Sequence, residues 1–179
     1  MTLKQSLSGL ILAGTLGLAT ASSHSQDSAT SDSATIGTYD SRAVAVAFIR
    51  SAEMKEYLGG QMQELESMLK RAEAAGDEAL ASGLRALGPQ MQQRFHNQGF
   101  GAAPIDDIMA LVKAELPAIA KEAGVEFIVS KWELDYQSKR AQSVDLTERI
   151  AQHFKPDAAT LRTMRELMGQ DPVPAKDLK

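Results

Sequence analysis

The chain has 179 residues, enough for one compact domain with tails. Apolar residues make up 44%, charged residues 23% and aromatics 5%, with a formal net charge of −4, which excludes collagen-like, multi-span membrane and strongly nucleic-acid-binding chains. There is no cysteine, so disulfide scaffolds, thiol nucleophiles and thiolate metal sites are also excluded.

The N-terminus reads as a targeting segment. Lys4 is the only charge before Asp27, and Leu7 to Ala21 is an apolar run too short to cross about 30 Å of hydrocarbon. Ala19-Thr20-Ala21 has the small-x-small form of a signal-peptidase site. Residues 1–21 are therefore expected to be a signal peptide cleaved after Ala21, and the protein to be periplasmic or secreted. Residues 22–34 are polar and of low complexity, a predicted flexible linker.

Thr35 to Tyr39 is a predicted strand, with Asp40 or Ser41 capping the helix that follows. That helix runs from Arg42 to Leu58, bends at Gly59-Gly60, and resumes with the stripe Met62, Leu65, Leu69 and Ala72. Gly76-Asp77 is a stop followed by a cap. The next stripe is Leu80, Leu84, Leu87, Met91 and Phe95, in phase through Gly88-Pro89, which predicts a kinked helix. His96 to Pro104 reads as a glycine-rich loop. Asp106 and Asp107 open a helix from Ile105 to Ala123, kinked at Pro117 and ended by Gly124. Val125 to Ser130 and Trp132 to Gln137 are two predicted strands. Asp145, with Glu148 at capping-box spacing, opens a helix to Phe154. Asp157 caps a last helix ending at Gly169, and the final residues are expected to fray.

The fold class is thus mostly helical α+β: a β body of about three strands, with a long helical hairpin between the first and second strands. This order, with "AKEAGVEFIVSKWELDYQSKRAQSVDLTERIAQHF" (Ala120 to Phe154) as the strongest stretch, resembles the Skp/OmpH-like family of periplasmic chaperones. The motif elements are Lys121-Glu122-Ala123-Gly124, the β run from Val125, and Val144-Asp145-Leu146-Thr147. The resemblance covers residues 35–155 in layout, and 156–179 is an additional helix and tail. It implies a homo-trimer whose helical arms hold unfolded outer-membrane or envelope proteins by apolar capture, with no cofactor and no catalysis. The client-contact candidates are Met62, Leu65, Leu69, Leu80, Leu84, Leu87, Met91 and Phe95.

The residues that could carry other chemistry are few. His24, His96 and His153 have no second ligand at helical spacing, so no metal site is expected. Asp106 and Asp107 point about 100° apart on a helix, and read as dipole compensation rather than a catalytic pair. Gly99-Phe100-Gly101 lacks the strand and lysine of a phosphate loop. A loop site formed by Phe100 with Asp40 and Arg42 would make the chain a ligand binder. An alternative without chemistry is an envelope adaptor that binds one folded partner. Two features favour the adaptor: the arms are slightly acidic, with 9 basic and 11 acidic residues from Arg42 to Glu122, and they carry several helix breakers. No nucleic-acid partner and no stable membrane insertion are expected.

Overall fold

The computed structural model describes residues 35–178, so the predicted signal peptide (1–21) and linker (22–34) lie outside the described residues. Ile36–Tyr39 forms β1 and pairs in parallel on both sides, with β2 (Phe127–Ser130) and β3 (Ser143–Asp145), in the order β2-β1-β3. Between β1 and β2 run five helices: α1 (Ser41–Ile49), α2 (Ala52–Ala74), α3 (Glu78–Phe100), α4 (Asp106–Val112) and α5 (Leu116–Ala123). After β3 come α6 (Thr147–Ala151), a 3-10 turn at Gln152–Phe154, and α7 (Ala158–Met168). The protein is a mostly helical α+β fold with a three-stranded parallel sheet.

The body forms around α1. All of Ser41 to Phe48 is buried, because helices α3, α6 and α7 cover it from several sides. The core joins Val44, Phe48, Ile108, Val112, Leu146, Ile150 and Met164, with Phe48 and Phe154 edge to face at 5.4 Å. In-register pairing puts Gly37, Ile128 and Val144 on one face of the sheet. Gly37 must be glycine there, since a Cβ would stand 2.5 Å from Leu146 Cδ1. The other face carries Ile36, Thr38, Phe127 and Val129, and Phe127 is largely exposed.

The local stop and cap signals act as their chemistry requires. Gly76 and Gly124 adopt positive φ, and Asp77 and Asp157 accept amide bonds at the starts of α3 and α7. Several other expectations are corrected. The first long helix does not bend at Gly59-Gly60. It breaks at Arg50-Ser51, where the Ser51 hydroxyl accepts the Met54 amide and starts α2. A side-chain cap ends one helix and opens another, whereas glycine offers no competing bond. Pro89 lies inside one continuous α3, as the in-phase stripe predicts. Pro117 does not kink one helix but sits in the first turn of α5, where its missing N–H costs nothing.

His96 to Phe100 is helix, not loop. Gly99 lies within the helix and is buried against α1, where a Cβ would stand in ordinary contact with Ile49 and Val46 at 3.6 and 3.7 Å. Gly101, at the end of α3, has a φ of −92°, outside the left-handed region. Trp132 to Gln137 is not a strand. Both β2 and β3 run parallel to β1, so the chain must return from the end of one to the start of the other, and residues 131–142 make that crossing. Nor does the C-terminal segment fray freely, because the Val173 amide donates to the Phe100 carbonyl at 2.9 Å.

Gly60 and Gly83 are helical, and a Cβ at either meets nothing within 4 Å. Gly60→Ala and Gly83→Ala should each raise stability by up to about 1 kcal/mol in urea melts, whereas Gly37→Ala should lower it by about 1–3 kcal/mol.

Candidate functional site

Two places gather the residues singled out by sequence: the junction after β1, and the α2–α3 hairpin. At the junction, Asp40 is fully buried and its carboxylate accepts from five donor groups on three residues. The Arg42 amide and Nε donate to Oδ1 at 3.1 and 3.2 Å, and the Trp132 indole N–H donates to the same oxygen at 3.1 Å. Arg42 Nη2 and Lys131 Nζ reach Oδ2 at 2.9 and 2.7 Å. The Trp132 ring lies beneath both cations, 4.7 Å from Arg42 Cζ and 4.5 Å from Lys131 Nζ. Arg42 Nη2 also donates to the carbonyls of Leu167 and Gln170 at the end of α7, at 2.8 and 2.7 Å. The Asp40 amide donates to the Thr147 hydroxyl at 2.9 Å.

Burial pushes the Asp40 carboxyl up, but hydrogen bonds from Arg42, Lys131 and Trp132, with the charge of Arg42, outweigh it and hold the carboxyl below its ordinary value. Asp40 and Arg42 are buried, and the Asp40 carboxylate and the Arg42 Nε and Nη2 are engaged by protein partners. They do not form a ligand site with Phe100, which lies exposed at the end of α3 and stacks against His96 at 5.0 Å. The cluster is a fastening between β1, α1, α6, α7 and the segment after β2.

The hairpin is built differently. Its own buried core is only Ala72, Ala81 and Leu84, with Leu65 and Leu69 packed partly against them. Met62, Met68, Leu80, Leu87 and Tyr57 remain substantially exposed. Two grooves result on the hairpin. One, of about 520 Å³, is lined by Tyr57, Leu65, Met68, Leu84, Leu87 and Met91, with Gln61, Glu64, Gln90 and Arg94 also bordering it. The other, of about 620 Å³, is lined by Met62, Leu65, Leu69 and Leu84 beside Gly59 and Gly88, with Gln63, Glu66 and Arg85 also bordering it. The missing side chains of these two glycines deepen it. Of the eight stripe candidates, six line these grooves. Leu80 is exposed outside both, and Phe95 packs against the main core at the hairpin's base.

The remaining polar candidates are placed as follows. Asp106 and Asp107 occupy the first turn of α4. Asp107 takes a hydrogen bond from the Gln98 amide at 2.9 Å and lies 3.4 Å from Arg94. Sequence reasoning missed Gln98, whose Nε2 also donates to the Pro104 carbonyl at 3.1 Å and folds the chain back after α3. His153 Nδ1 lies 2.6 Å from Glu115 and Nε2 lies 3.9 Å from Glu53. Among the described residues no group of three or more histidine, aspartate or glutamate side chains is arranged to hold a metal ion. Among them, too, no helix is long and apolar enough to cross a membrane.

No protein-family model, curated protein or solved structure matches this chain.

Because the folded Asp40 carboxyl is held low, its contribution to stability is complete above the ordinary carboxylate value of 3.8 and is lost as pH falls through the lower folded value. Asp40→Asn leaves Arg42 buried without its counter-charge. It should cost about 3–5 kcal/mol in urea melts at neutral pH and weaken the dependence of stability on pH in the acid range.

Proposed function

We propose that this protein is a non-catalytic, exported protein-binding module that captures unfolded envelope or outer-membrane proteins by apolar contact. The observation that carries the reading is the hairpin, whose two grooves expose methionine and leucine that its own small core does not bury. A folded domain ordinarily covers such a stripe, and an adaptable methionine-rich surface suits partners of irregular shape. The Skp/OmpH-like layout of strand, helical hairpin, strands and helix supports the same reading. The mechanism needs no cofactor: exposed apolar segments of a client displace water from the grooves, and release follows when the client folds or is handed on.

A trimer would multiply weak contacts through avidity. The sheet face that carries Phe127 favours self-association, because parallel sheets are ordinarily covered on both faces and among the described residues Phe127 stands out from this one. Absolute mass by light scattering on a sizing column is expected to give a trimer, and Phe127→Ser to shift it toward monomer. A wild-type monomer would overturn self-association and favour the second reading, an adaptor for one folded partner.

At a threefold excess the protein should slow aggregation of an unfolded outer-membrane barrel in a light-scattering assay. Met68→Glu with Leu87→Glu puts charge into one groove and should lower that capacity at least about threefold. Both side chains are already exposed, so the melting temperature should stay within about 3 °C. Wild-type protein without effect on aggregation would refute the capture reading.

A further inference from the structure

The chain has no cysteine, so methionine carries all of its sulfur chemistry. The described methionines fall into two sets. Met54 and Met164 are 2% and 0% exposed in the core of the body, and Met109 and Met168 pack partly against it. Met62 and Met68 are 48% and 37% exposed on the hairpin, and Met91 is half-buried there. These three line the grooves: Met68 and Met91 in one, Met62 in the other. Susceptibility to oxidation follows exposure, so the thioethers most open to attack are the ones that form the apolar linings.

We propose that Met62, Met68 and Met91 are sulfoxidation sites at which peroxide switches both grooves from apolar to polar. This rests on the reading of the hairpin as a capture surface. In each step the thioether sulfur attacks one oxygen of hydrogen peroxide. The O–O bond breaks as the S–O bond forms, sulfur is oxidised by two electrons, and the second oxygen leaves as water with both protons. The sulfoxide is a strong acceptor that an apolar client segment cannot satisfy, so capture weakens. Met54 and Met164 in the core of the body are spared, because fully buried methionines react only after it opens. Reduction by a methionine sulfoxide reductase would restore the apolar lining, so the change is reversible in kind.

Graded hydrogen peroxide with peptide-resolved mass spectrometry gives the order of oxidation, independent of any client. Met62 and Met68 should oxidise first and Met91 next, with Met54 and Met164 at least about tenfold slower. Protein oxidised only on the hairpin should keep its circular-dichroism melt and lose about threefold in aggregation suppression. The triple variant Met62→Leu, Met68→Leu, Met91→Leu should suppress aggregation without peroxide and keep its capacity after it. The switch is overturned if Met54 or Met164 oxidises as fast as Met62, if the oxidised hairpin captures as well as the untreated one, or if the triple variant loses capacity to peroxide equally. Untreated wild-type protein that captures nothing removes the capture reading and the switch together, whereas untreated capture that survives oxidation removes the switch alone.

Discussion

The carboxylate of Asp40 is where the separate parts of the body are joined. It stands at the end of the central strand, so every element that reaches the end of β1 must meet it. Burying it without partners would cost several kcal/mol, and that cost is offset only while Arg42, Lys131 and Trp132 are all in position. Each partner brings its own element: Arg42 holds the terminal carbonyls of α7, and Lys131 and Trp132 fix the start of the crossing segment. The single charge thereby makes the packing of distant segments cooperative. The burial of Asp40 and Arg42 and the bonds between them make this cluster a fastening between segments.

Hairpin and body answer different constraints. The body buries α1 on nearly all sides and satisfies its polar groups internally. The hairpin has a core of three small or medium residues near its tip, and its ion pairs, such as Glu73 with Arg85, are exposed and contribute little. Local opening is therefore easier along the hairpin than in the body. That difference makes the hairpin the more adaptable of the two surfaces, while the base of α3 stays anchored through Gln98.

Sequence made the local features legible. Asp77, Asp157, Gly76 and Gly124 act through bonds within a few residues of themselves, so their roles follow from residue type and neighbours. The hairpin stripes were legible through helical spacing, although spacing does not say which leucines a partner helix covers. Leu84 is buried and Leu87 exposed one turn later. The misread features depend on distant chain. Gly99 reads as a loop glycine, yet it lies inside α3, buried where α1 passes against it. The alternation from Trp132 to Gln137 suggested a strand, but β1 has only two edges and three-residue β3 takes the second. Nothing within Ser143–Asp145 announces this pairing.

The central strand has no partner near it in sequence. Ile36 pairs with Phe127 and Ser143, and the bond from the Asp40 amide to Thr147 spans 107 residues. A chain made from its N-terminus must hold β1 unpaired until nearly all of the body exists. Closing so long a loop in one step is slow, because its entropy must be lost before any contact compensates. The α2–α3 hairpin needs only local contacts and doubles the intervening chain back on itself, bringing the two ends of that loop together. The turn at Gly76 and Asp77, which no strand touches, thus shortens the loop that the sheet has to close.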